Sequence, residues 1–203
     1  MKNVKSVFFF LFVTIFSTLL IGCKLGGLME NDKDSSLKVA TFKGESTELT
    51  AGFPFEMSTN SQREEIPEDA KGFVTTIQRF QGNSQDMVVN VISTNYKKEL
   101  FVKMSEKERM EGIKEIVDDD MKAMRKQNSV QDFQENRQET TIHGNPAIIA
   151  IVRYKNAGTS MEGRCMYIIK QNETWVVICE YKASDSTMRN KAEEVQKSIR
   201  IKE

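Results

Sequence analysis

The 203-residue sequence holds one histidine, His143, one tryptophan, Trp175, three prolines and three cysteines. A single histidine excludes a His-rich metal centre and makes any histidine chemistry depend on one side chain. The scarcity of proline and the lack of an internal repeat exclude collagen-like, proline-rich and solenoid architectures. Charge of one sign is also missing, because 29 Lys and Arg face 29 Asp and Glu. Without a basic excess there is no electrostatic footprint for nucleic acid or for anionic headgroups. No Gly-x-Ser-x-Gly elbow and no EF-hand spacing occur, so the sequence presents neither a hydrolase nucleophile motif nor a calcium loop. No catalytic motif and no cofactor-binding motif is found, and the chain is expected not to be an enzyme.

The first feature present is N-terminal. Lys2 and Lys5 precede an uncharged stretch, Ser6 to Gly22, dense in Phe, Leu, Ile and Val. A positive start, an apolar run and a small residue before a cleavage point make a secretory signal. The run is about 17 residues, at the low edge of what crosses a bilayer. No polar stop-transfer cluster follows it, only Lys24 and then Gly26-Gly27. The sequence Leu19-Leu20-Ile21-Gly22-Cys23 resembles the lipobox of bacterial lipoproteins, in which the cysteine is acylated and the peptide bond before it is cut. The resemblance implies a lipoprotein signal peptide over 1–22 and a lipidated Cys23 as first residue. It also implies a membrane partner through that lipid, on the extracytoplasmic side of the bacterial cell envelope. Residues 1–22 carry two lysines and no acid, so cleavage leaves 27 cationic against 29 anionic side chains. The remaining length suits one domain and a tether, and is enough to bury a core without disulfides.

Residues 23–36 are rich in Gly, Asn, Asp, Lys and Ser and read as a flexible tether. The domain is expected over 37–203. Val39 to Phe42 suggests a short strand and Gly44 to Thr47 a turn. Phe53 to Met57 suggests an edge strand, since Pro54 cannot donate to a ladder. Ser58 to Ala70 is polar and reads as a loop. Phe73–Phe80 and Met87–Thr94, separated by Gln81-Gly82-Asn83-Ser84, predict a hairpin. Ser105 and Glu108 form a capping-box pattern, followed by Met110, Ile113, Val117, Met121 and Met124 at helical steps. That spacing predicts an amphipathic helix over about 106–127. Four strands then form a meander, at about 133–142, 147–154, 164–170 and 174–181. Ser184 or Asp185 caps a last helix whose stripe is Met188, Ala192, Val195 and Ile199. The pattern predicts an α+β fold: an antiparallel sheet with a helix on each face.

Three stretches carry a further resemblance: Thr141 to Ala147, Tyr167 to Lys170 with Trp175-Val176-Val177, and Val195 to Ile199. With the element order, they resemble the PsbP-like α/β/α sandwich, a group that includes photosystem II extrinsic subunits and bacterial DcrB-like lipoproteins. The resemblance spans about residues 38–203. It implies assembly, stabilisation or binding at a membrane surface rather than catalysis.

Cys165 and Cys179 form a candidate disulfide. A three-residue loop at 171–173 sets them opposite each other on neighbouring strands, within reach of a bridge; a two-residue loop separates them, leaving two buried thiols. Asp118-Asp119-Asp120 cannot converge on a metal from one helix, because neighbours point about 100° apart, so the triplet is expected on a solvated face. His143 is expected in a surface turn, the methionines of the helix stripe in the core, and Trp175 within the sheet. The leading expectation is a non-enzymatic binding or assembly module supporting another envelope protein. The alternative is a receptor-like module holding a small molecule or peptide between sheet and helix.

Overall fold

The computed structural model describes residues 36–102 and 104–203. The proposed signal segment, Cys23 and nearly all of the tether lie outside the described residues. The chain begins with β1 (Lys38–Lys43), β2 (Glu48–Phe53), β3 (Gln62–Arg63), β4 (Val74–Asn83) and β5 (Met87–Tyr96). A short helix α1 (Lys98–Phe101) and a long one, α2 (Glu106–Arg125), follow. Then come β6 (Val130–Ile142), β7 (Asn145–Asn156), β8 (Thr159–Lys170), β9 (Glu173–Lys182), α3 (Ser186–Ser198) and β10 (Arg200–Lys202).

Seven strands form an antiparallel sheet in the order β3-β4-β5-β9-β8-β7-β6. The predicted hairpin and meander are its body. Its central strands are buried on both faces, which is why 147–154 and 174–181 read as nearly continuous apolar runs. One face is covered by α2. Ile113, Ile116, Val117, Met121 and Met124 pack there on Ile148, Ala150, Val152, Cys165, Tyr167, Val176 and Ile178. Met110 is only half-buried, at the margin of this core. The capping box at Ser105 is formed in both directions, and it fixes where α2 starts.

The other face is covered by α3 together with a three-stranded sheet, β1-β2-β10. The expected helix is there, with Asp185 as its N-cap, but it shares its face with this second sheet. The predicted edge strand at Phe53–Met57 is displaced. The strand is Glu48–Phe53, and Pro54 lies just beyond its end. After α3, Arg200–Lys202 form β10, which pairs with β2. Phe42, Leu49, Phe53, Phe80 and Trp175 meet in this second core, with Phe80 and Trp175 stacked at 6.4 Å.

The candidate disulfide is not formed. The β8–β9 loop has two residues, Gln171 and Asn172, with Lys170 opposite Glu173. Gln171 takes the left-handed conformation, with φ 53°, and the Asn172 Nδ2 donates to the Tyr96 carbonyl at 2.6 Å. This register puts Cys165 opposite Ile178 and Cys179 opposite Arg164. Side chains alternate along a strand, so Cys165 faces the α2 core and Cys179 the other. Both are buried free thiols. Among the described residues no helix is long and apolar enough to cross a membrane.

Candidate functional site

Among the described residues, four polar constellations and two hollows are candidate places for chemistry or binding. The first is centred on Glu173, the first residue of β9. The turn between β1 and β2 wraps its carboxylate. Backbone N–H groups of Glu45 and Thr47 donate to it at 2.9 and 2.8 Å, and the Thr47 hydroxyl donates at 2.6 Å. The Ser93 hydroxyl donates from the neighbouring strand at 2.5 Å. Trp175 Nε1 then donates to Thr47 Oγ1 at 2.8 Å. The approach is so close that a Cβ on Gly44 would press into the Glu173 carboxylate and push it away from these donors. Successive N–H groups of this kind make an anion-binding concavity. Here the anion is the chain's own carboxylate, so the arrangement latches the small sheet to the large one.

The second lies under α2. The Tyr167 hydroxyl donates to Asp120 Oδ2 at 2.9 Å, while Asp120 Oδ1 has no hydrogen-bond partner. Asp120 is fully buried, contrary to the expectation of a solvated face. The physical reason is helical phase. Asp120 stands four residues from both Ile116 and Met124, inside the apolar stripe. Asp118 instead forms an ion pair with Arg137 at the surface. Burial pushes the Asp120 carboxyl well above its ordinary range, outweighing the Tyr167 hydrogen bond. Burial, reinforced by nearby Asp120, likewise raises the Cys165 thiol far above a reactive value, so it is not an activated nucleophile. Cys179 is pushed up to about 12, by burial.

The third is Glu162 on β8, which is 1% exposed. It accepts from Arg153 Nε at 2.7 Å, Arg189 Nε at 2.9 Å and the Tyr181 hydroxyl at 2.6 Å. Burial alone raises a carboxyl; the hydrogen bonds from Arg189, Tyr181 and Arg153 overcome it and hold this one below its usual value. The pairing anchors α3 to the sheet. The fourth is Glu180, hydrogen-bonded by the Tyr154 hydroxyl and raised by burial.

Of the two hollows, one lies in the α2 seam, lined by Met124, Tyr154, Cys165 and Glu180 among others, and is too narrow for a water molecule. The second is an open groove of about 210 Å³ between the β6–β7 turn and α3, lined by Thr140, Thr141, Ile142, His143, Ile149, Gln196 and Lys197. It is smaller than the roughly 300–1,000 Å³ of ordinary ligand pockets. His143 stands exposed at its rim in a left-handed turn conformation, φ 49°. The groove brings no carboxylate or nucleophilic thiol to this histidine. Trp175 is fully buried, as expected. No group of three or more metal-ligating side chains occurs among the described residues.

Glu173 and Glu162 are not singled out by the sequence pattern, and Asp120 was expected on a solvated face. Asp120 carried a signal, an acid in phase with an apolar stripe. The other two hold partners distant in the chain, and no local pattern announces them.

No protein-family model matches the chain, and no curated protein matches it. Solved structures with a similar arrangement include LpqN of Mycobacterium tuberculosis, described as involved in cell envelope biogenesis. It is 10% identical, with 82% of this chain and 92% of that one covered, at a TM-score of 0.47. The cyanobacterial PsbP of Synechocystis is 12% identical, covering 87% and 98%, at 0.43. A Pseudomonas aeruginosa protein of unknown function, described as a putative regulator, is 10% identical, covering 78% and 94%, at 0.41. With TM-scores below one half, these are likenesses of outline, and no property of this chain is concluded from them.

Proposed function

We propose that this chain is a lipid-anchored protein of the bacterial cell envelope, held by Cys23 on the extracytoplasmic side of a membrane. Its domain is a non-enzymatic module that binds or supports another envelope protein. The observation that carries the reading is Leu19-Leu20-Ile21-Gly22-Cys23, a lipobox-like end to an uncharged run that follows Lys2 and Lys5. The α2 seam supports assembly rather than a receptor role. It is filled by apolar side chains and leaves no space for a ligand between helix and sheet. The buried carboxyls support it too. Glu173 and Glu162 are each satisfied by the chain's own donors, and Asp120 lies beneath a helix.

The anchor is tested by Cys23→Ala in the cell. The expected result is an uncleaved precursor lacking the lipid, read by mass spectrometry of membrane and soluble fractions. Unchanged processing and membrane retention would sink the anchor. The module is tested by cross-linking in cells followed by a native pull-down from solubilised membranes. A single stoichiometric envelope protein is expected. Its absence, with the bait folded and lipidated, removes the assembly reading in favour of a small-molecule or peptide receptor.

A further inference from the structure

The two edges of the large sheet are finished differently. One ends in β3, a strand of two residues, the kind of short edge that discourages pairing. The other ends in β6, a strand of thirteen residues. Its pairing with β7 turns on His143 and Gly144, with φ 49° and 76° and Ile142 opposite Asn145. Positive φ at both central residues marks the two-residue turn in which the flanking pair is hydrogen-bonded. Bonded and non-bonded pairs then alternate. Residues 134, 136, 138, 140 and 142 turn their backbone groups to β7, while those of Glu135, Arg137, Glu139 and Thr141 point outward. Pro146 agrees with this phase, because it lies opposite Thr141 in a pair that needs no donor. The strand's one irregularity lies between Gln131 and Gln134, where Asp132 has φ 51°. From Gln134 onward the edge is uninterrupted.

Charged side chains usually guard such an edge. Here they are drawn sideways onto α2. Glu139 pairs with Lys114 at 3.0 Å, Arg137 with Asp118, and Glu135 with Arg125 at 3.1 Å, while Arg137 also pairs with Glu135 along the strand at 2.8 Å. The edge therefore presents outward N–H and C=O groups beside an ordered row of minus, plus, minus.

We infer that the free edge of β6 is a self-association surface, where a second copy of this chain adds its own β6 antiparallel about a two-fold axis at Asn136. The occupant is argued from charge. An axis at Asn136 sets Glu135 against the partner's Arg137 and Arg137 against the partner's Glu135, each within cross-strand reach. An axis at Glu135 or Arg137 opposes like charges to themselves. An axis at Gln138 also pairs Arg137 with Glu139, but it joins residues 134–142 alone and sets Phe133 against the His143 turn. An axis at Asn136 spans the whole strand, 130–142, with the irregularity before Gln134 included. Closed two-fold pairing uses the same surface twice, consumes both long β6 edges and leaves the short β3 strands at the ends of the joined sheet. The inference is independent of the lipid anchor.

The test is site-directed disulfide trapping in the full-length protein, in its own membranes. Asn136 is exposed, so Asn136→Cys leaves the core untouched. At the axis, the two Cα atoms stand about 4.5 Å apart, inside the range a disulfide spans. Mild oxidation is expected to convert most of Asn136→Cys to a covalent dimer, and little of Gln134→Cys, Gln138→Cys or the exposed control Val39→Cys. Adding Glu139→Pro to Asn136→Cys removes an outward N–H without touching the β7 ladder, and the dimer is expected to be lost while circular dichroism stays unchanged. Equal trapping at Val39→Cys, stronger trapping at Gln138→Cys, or no dimer at Asn136→Cys in a folded sample would overturn the proposal. A single-chain mass for the solubilised wild type at the concentration of the trapping assay would overturn it as well.

Discussion

Glu173 and Asp120 are both buried carboxyls, and their surroundings treat them oppositely. Around Glu173 every nearby polar group donates. Glu173→Gln keeps the shape but turns an NH2 group toward those donors. The expected cost is about 1–3 kcal/mol, from buried donors left unsatisfied. It is measured as a lower denaturant midpoint from the fluorescence of the single tryptophan, Trp175, and an unchanged midpoint would show that the latch contributes nothing. Asp120 has one donor, Tyr167, and one orphan oxygen. Its folded pKa lies well above 3.8, so between the two values the folded state binds more protons. Stability from this group is therefore present below pH 3.8 and falls as pH rises through the folded value. Asp120→Asn cannot ionise. Relative to wild type, the variant should gain stability as pH rises above about 4, as read in denaturant melts. A difference that stays flat with pH would assign the slope to other groups.

At the scale of elements, α2 is the part most legible in the sequence. Ser105 and Glu108 announce its start, and apolar residues at three- and four-residue steps announce its buried face. Ser105→Ala should cost about 1 kcal/mol, the usual worth of an N-cap, with the helix signal retained in far-UV circular dichroism; no loss would mean the helix end is held by packing alone. The large hairpin and the meander were legible too, because β-branched runs and turn residues are local signals. The second sheet was not. β10 is three residues long, and its partner β2 lies near the other end of the chain. Nothing in Arg200-Ile201-Lys202 reveals that distant pairing. Pro54 drew the expected strand past its true end, since a proline marks an edge as readily as a terminus. The β8–β9 loop was expected one residue too long, because Glu173 has the composition of a turn residue. Its place is fixed by the latch on the other side of the sheet, and with the register moved by one residue the expected cysteine pair separated.

At the scale of the whole molecule, the large sheet is a wall shared by two cores, and each cysteine reports on one of them. Cys165 is sealed by α2, and Cys179 by the small sheet and α3. Both thiols are buried and raised, so neither should react with a thiol reagent in the native state. The question is whether the two layers can leave separately. Either departure would expose one whole face of strands that are apolar on both sides. At about 25 cal/mol per Å² of apolar surface, uncovering a face of that extent exceeds the few kcal/mol that hold a domain of this size together. Loss of either layer should thus carry the sheet with it, in one cooperative transition. Pulse labelling through a denaturant series, with the peptides containing Cys165 and Cys179 resolved by mass, should give one midpoint for both thiols, coincident with the Trp175 fluorescence midpoint. If Cys179 labels at lower denaturant than Cys165, the latch at Glu173 does not couple the sheets, and the small sheet with α3 is an independently opening layer.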